Sequence, residues 1–320
     1  MSVPFPLPYA IPDECIVPTP PPKTQIWADI VPGAVATYRF GPSQEAEYDA
    51  AYQASRFAIT PRKGGWDCLR HYEILAAGTI PVFPGLNECP TSTMVTFPKE
   101  LVKRAAQELL PWSDTAEKRA AYDYFARELL EHTRTHCTTS ALATRFLGHF
   151  SSPRRILMLH TGATVNYSRE FLWIGLHRLV TASGGVARLH PPTACQFLWS
   201  DYPAEGCAAI HGMGYKYSRR LPAAERPPVW TDDDVRRSIH NGDWDIIIYA
   251  PVGPDEGPHG TAPHLPLWTD VSTSYSPERI AFIYGGDGYG QQDMHTDNRY
   301  SQHIRAHAHL GRCFIRELNL

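Results

Sequence analysis

The sequence contains no run of eighteen consecutive apolar residues, so it offers no membrane-spanning helix. Its seven cysteines include no C-x-x-C pair, which argues against a structural zinc site and for reduced thiols. It also lacks a charge surplus of either sign: 30 Lys and Arg stand against 33 Asp and Glu, a formal net charge of −3. Residues 1–150 carry 14 basic and 16 acidic side chains, and residues 151–320 carry 16 and 17. Neither part has the basic excess of a dedicated nucleic-acid-binding domain. The opening MSVPFPLPYAIPDEC has no basic start and no continuous apolar stretch, so a secretory leader is not expected and a cytoplasmic protein is.

Proline, by contrast, is abundant: 29 of 320 residues, clustered in 4–22, at 191–192, at 222–228 and in 251–266. The usual share is about 5%, and such clusters mark irregular connectors. With 43% hydrophobic and 20% charged residues, the chain can bury a core, which excludes disorder throughout. Its 320 residues suit two domains at about 150 residues each.

Residues 1–34 read as extended. A short helix is expected over 43–54 with Ser43 as its cap, then a strand over 56–60. Pro61-Arg62-Lys63-Gly64-Gly65 is a turn, Trp66–Ala77 a helix closed by Gly78, and Ile80–Pro84 a strand. Strand, Gly-rich turn, helix and strand make a βαβ signature. Helices follow over 99–110, 114–136 and within 137–153. A second α/β pattern then begins, with strands at 155–160, 186–189, 245–249 and 279–284 and helices at 168–180 and 232–239. The fold class is therefore α/β.

The segment Ser55–Pro84 carries the chemistry. A Gly-rich turn between strand and helix presents backbone N–H groups to an anion, and Arg62, Lys63 and Arg70 add positive charge. Arg70 and Glu73 lie three residues apart, about one helical turn, so both can face one ligand. A cation beside a diphosphate and a carboxylate on a ribose diol suit a nucleotide. The plainer alternative is a surface turn with an Arg–Glu helix pair.

Within it, Ser55-Arg-Phe, Thr60-Pro-Arg, Arg70-His-Tyr-Glu73 and Gly78-Thr-Ile-Pro81 resemble the donor-site segment of exostosin-like glycosyltransferases. GGWDCLRHYEILAAG is similar to the same segment in related glycosyltransferases of bacteria and large DNA viruses. The match spans about 30 residues, with looser similarity over about 100. The resemblance implies a GT-B fold, two Rossmann-like domains facing a cleft that holds a nucleotide-diphosphate sugar, with no metal or other cofactor. It implies that Arg70 contacts the donor phosphates, with Arg62, Lys63, Gly64 and Gly65 around them, and that Glu73 binds the ribose. One departure stands out: retaining relatives carry a further acid seven residues earlier, where this chain has Gly64-Gly65. That leaves inversion or retention open.

GT-B enzymes place the donor domain second, whereas here it comes first, in residues 1–150, ahead of an acceptor-side domain in 151–320. In the similar proteins a segment like Phe314–Leu318 runs into one like Pro4–Pro12; here these are the two chain ends. The resemblance thus implies a circular permutation, with Phe314–Leu318 leading structurally into Pro4–Pro12. On the acceptor side, His160 ends a strand and Asp287 follows another, so these are the candidate catalytic residues, His160 as general base. The expected acceptor is a hydroxyl on a glycan or small molecule, with a hydroxymethylated DNA base as a lesser option. The alternative function is a non-catalytic nucleotide- or sugar-binding module.

Four weaker features complete the reading. His303, His307 and His309 have helical metal-ligand spacing but read as surface histidines. Tyr215–Arg220 is basic and aromatic and reads as a solvated loop, with a cleft lining as the option. Trp66 and Trp268 are expected in the core rather than stacked on sugars. Asp67 stands near the donor motif and is equally suited to cap the helix that follows it.

Overall fold

In a computed structural model, residues 3–160, 165–253, 265–286 and 297–320 are described. Asp287 and the loop after His160, residues 161–164, lie outside them. Along the chain run β1 (Phe5–Pro6), β2 (Gln25–Trp27), α1 (Glu45–Gln53), β3 (Ser55–Ile59), α2 (Leu69–Ala76) and β4 (Ile80–Val82). Three helices follow, α3 (Lys99–Leu109), α4 (Ala116–His136) and α5 (Thr139–Leu147). The remainder comprises β5 (Arg155–His160), α6 (Tyr167–Ala182), β6 (Val186–His190), α7 (Asp232–His240), β7 (Ile246–Ala250), α8 (Trp268–Ser274), β8 (Ile280–Tyr284), α9 (Arg299–His307) and β9 (Arg312–Ile315).

The strands form two parallel sheets, one of six strands in the order β1-β9-β8-β7-β5-β6 and one of three in the order β2-β3-β4. This is an α/β architecture compatible with a Rossmann-like fold. The apolar strand runs explain the large sheet. Ile156, Met158 and Ile248 point to one face, under α5 and α6. Leu157, Leu159 and Ile247 point to the other, under side chains of α7, α8 and α9. A strand buried on both faces needs no polar alternation, which is why β5, β7 and β8 read as continuous hydrophobic runs. The small sheet divides likewise: Phe57 joins the main core, and Ala58 packs with Tyr52 and Ile74. The main core crosses residue 150, joining Phe57 and Tyr122 to Ile156 and Phe171.

Local signals set several boundaries. Thr231 and Asp234 form a capping box at the start of α7. Gly78, at φ +64°, ends α2: its N–H bonds Leu75 O and that of Thr79 bonds Ile74 O. Two expectations fail here. Ser43 does not cap α1; Gln44 occupies the cap position, with its side chain turned back to the Gly41 N–H. The helix expected from Trp66 begins at Leu69: Cys68 is extended, at φ −121° and ψ 137°, and Asp67 before it is bonded to Tyr9 and Glu317.

The two chain ends are neighbours, but not head to tail. Phe5 pairs with Phe314 and Pro6 with Ile315, in parallel. The expectation that Phe314–Leu318 leads into Pro4–Pro12 is therefore replaced by two segments running abreast. Both leave the large sheet toward the Gly-rich turn, where Arg316 bonds the Tyr9 hydroxyl.

Candidate functional site

Asp67, on the turn after β3, ties the two sheets together. Its backbone N–H donates to Glu317 Oε1 at 2.8 Å, just past β9. Its carboxylate accepts from the Tyr9 N–H at 2.7 Å and the Tyr72 hydroxyl at 2.8 Å. Asp67 thus does not cap α2; the cap position is Cys68, with no side-chain cap bond. The contact brings the carboxyl ends of both sheets to one place, where parallel α/β sheets bind ligands.

A cleft of about 530 Å³ opens there. Pockets for small ligands span roughly 300–1,000 Å³. One wall is the turn Lys63-Gly64-Gly65 with Arg70 and Glu73 of α2, so the cleft brings together five of the six donor residues expected from sequence. Arg62 stands behind, its guanidinium 4.7 Å over the Trp66 ring, which packs in the core as expected. No ion pair joins Arg70 to Glu73; Arg70 makes one long hydrogen bond, 3.4 Å, to Thr60 Oγ1. The plain helix-pair alternative therefore does not describe this wall.

Glu73 is buried and accepts a hydrogen bond from the Tyr48 hydroxyl at 2.7 Å. Burial raises its pKa to about 7, against the lowering effect of that bond. Burial likewise raises Asp67 to about 7, although Arg316 opposes it. His71, between them, is buried with Thr60 Oγ1 at 2.7 Å and Trp66 O at 2.9 Å. Burial lowers its pKa to about 3, and the neutral ring bearing its proton on Nε2 satisfies both partners.

Sequence reasoning missed the rest of the cleft. Tyr38, Phe40 and Tyr48 form an aromatic side with Tyr215, whose ring lies 5.2 Å from that of Tyr48. Tyr9 and Tyr167, edge to face at 5.5 Å, stand with His211 on another side. A carboxylate from the far end of the sequence lies against the Gly-rich turn: a Cβ on Gly65 would collide with Glu317. Nothing local announces these residues; only the aromatic pattern of 215–217 gave a signal.

The segment Tyr215–Arg220 is not a solvated loop. Lys216 is 3% exposed and pairs with Asp49 and Glu45, and Arg220 pairs with Glu45, so the segment docks on α1.

His160 is not among the cleft residues. It is buried at the end of β5 with its Nε2 against Arg169, and burial together with that cation lowers its pKa to about 3. Arg169 pairs in turn with the buried Glu170, so His160, Arg169 and Glu170 form a buried polar network. The three histidines of the last helical segment are not uniformly surface groups: His307 is buried, with Nδ1 2.7 Å from His303 O. Among the described residues no group of three or more His, Cys, Asp or Glu side chains is placed to hold a metal ion. Trp268 packs against the second core cluster. Among the described residues no helix is long and apolar enough to cross a membrane.

The fold and site define an α/β protein with a ligand cleft at the carboxyl ends of its strands. No family model, curated protein or solved structure matches the chain.

Proposed function

We propose that the protein is a glycosyltransferase of the GT-B kind, with its donor side first in the chain, that moves a sugar from a nucleotide-diphosphate sugar to a hydroxyl acceptor. The observation that carries this reading is the placement of Arg70 and Glu73, one helical turn apart, in the same cleft as the Lys63-Gly64-Gly65 turn and an aromatic side. The nucleobase stacks among Tyr38, Phe40, Tyr48 and Tyr215. The ribose diol bonds to Glu73, whose half-neutral carboxyl can both accept and donate near pH 7. The diphosphate lies against Lys63, Arg70 and the backbone N–H groups of the turn.

The reaction forms a bond from the acceptor oxygen to the anomeric carbon and breaks the bond from that carbon to the diphosphate. Negative charge grows on the leaving diphosphate, and the fixed cations and amides stabilise it. The hydroxyl proton passes to a base on the wall opposite the donor. His211, which lines the cleft beside Tyr167, is assigned that role, because the Nε2 of His160 is occupied by Arg169.

The test is a thermal-shift screen of nucleoside diphosphates and their sugars, followed by assay of released nucleoside diphosphate. A ligand at 100 times its Kd raises stability by about 2.7 kcal/mol. Stabilisation and turnover with one donor support the reading, stabilisation without turnover favours a non-catalytic binding module, and no stabilisation by any nucleotide rejects both.

A further inference from the structure

Beside the cleft lies a second cavity of about 200 Å³, with Met213 and Tyr215 lining both. Its lining also includes Ser200, Ser218, Arg219 and Arg220. The function proposed above does not use it. At less than the roughly 300 Å³ of a whole-ligand pocket, it has room for one group of a larger molecule.

The charge balance of its surroundings is positive. Glu45, the acid in the lining, is already neutralised: it accepts from the Lys216 N–H at 2.8 Å and pairs with Arg220. Asp49 is taken by Lys216. Arg219 is the cation left over, exposed and without an ion pair. Its backbone holds it in place, with φ +59° and its N–H on Phe197 O at 2.7 Å. Arg220 Nε is buried and has no hydrogen-bond partner. Ser200 Oγ accepts from the Ala223 N–H at 3.0 Å, which leaves its own proton to donate. Donors and positive charge thus exceed acceptors. A compact oxyanion supplies what is lacking, and guanidinium groups match its geometry.

We infer that this cavity binds an anionic group, a carboxylate or phosphate monoester, on the acceptor molecule. Its role as an acceptor subsite rests on the glycosyltransferase reading. Met213 lines both cavities two residues from His211, the proposed base, so such a group belongs to the acceptor side of the cleft and the subsite selects acidic acceptors over neutral ones.

The anion site is tested without any donor. Glucose, glucuronate and glucose 6-phosphate are titrated against the full chain by ligand-observed NMR, and comparison of the two charged sugars separates carboxylate from phosphate. The expected result is at least tenfold tighter binding of one charged sugar than of glucose. Arg219→Gln abolishes that preference and Arg219→Lys keeps part of it, while both variants bind nucleoside diphosphate as the wild type does. Arg219 is exposed, so neither change threatens folding, and thermal melts verify this. Equal binding of charged and neutral sugars, or a preference that survives Arg219→Gln, overturns the inference. The latter result moves the anion to the Lys63 and Arg70 wall. Anion preference in a protein that binds no nucleotide keeps the anion site but rejects the acceptor role together with the glycosyltransferase reading. Donor turnover without anion preference rejects the subsite alone.

Discussion

The Tyr48 hydroxyl donates to Glu73 Oε2 at 2.7 Å, joining α1 to α2 at the cleft. The bond fixes the carboxyl that the proposed donor uses, while burial keeps that carboxyl near its midpoint at neutral pH.

Removing that carboxyl should cost binding. Glu73→Ala is expected to weaken nucleoside diphosphate binding at least tenfold, about 1.4 kcal/mol, with the fold retained. Tyr48→Phe should cost less, because Glu73 remains. Calorimetric titration of both variants checks this; an unchanged affinity of Glu73→Ala for every nucleotide would remove the ribose assignment.

Stability should depend on pH through the same group. Glu73 rises from 4.5 and Asp67 from 3.8, each to about 7 on folding, so the folded chain holds more protons than the unfolded one between those values. Stability contributed by these two groups is therefore present at low pH, declines as pH rises from about 4 to 7, and changes little above that. Thermal melts from pH 5 to 8 at constant ionic strength measure it. Glu73→Gln should flatten part of the slope, and an identical slope in that variant contradicts the argument.

Gly65 leaves room for Glu317, and the pair should show coupling. Gly65→Ala pushes a Cβ into the Glu317 carboxylate and should destabilise the chain by about 1–3 kcal/mol. Combined with Glu317→Ala, it should cost clearly less than the two changes added together. Strict additivity in denaturant melts would separate the two residues.

The histidine in the cleft should matter for turnover and not for donor binding. His211→Gln is expected to lower transfer by about 10²–10⁴-fold at unchanged donor affinity. An equal loss of affinity and rate would instead assign His211 to binding.

Turnover should survive a chelator, because Lys63, Arg70 and the amides of the turn offset the diphosphate charge. Assays with and without EDTA decide it; loss of activity that Mg²⁺ or Mn²⁺ restores reassigns that work to a metal.

Much of the fold was legible because its signals are local. The runs at Ile156–Leu159, Ile246–Ile248 and Ile280–Ile283 read as buried parallel strands because both of their faces are covered. Gly78 read as the end of α2 because a Schellman turn needs its positive φ. The short β2 was not legible: its Gln25-Ile-Trp27 becomes a strand by pairing with β3, not by any pattern of its own. The start of α2 was misplaced for a related reason. Helix propensity over 66–68 yields to the bonds that Asp67 makes with Tyr9 and Glu317.

By itself, the sequence determined the βαβ unit of residues 55–84, and with it the Arg70–Glu73 spacing beside a Gly-rich turn. It also determined the parallel character of the large sheet. Only the tertiary structure decided which side chains meet at the cleft. Tyr48 reaches Glu73 across 25 positions of sequence and Glu317 reaches Asp67 across 250. It also took His160 away from the cleft and placed His211 in it. The reason is physical: periodicity and capping record how a segment buries its own faces, over a turn or two. A cleft is made where separate segments come to rest against one another, and that is set by packing of the whole core.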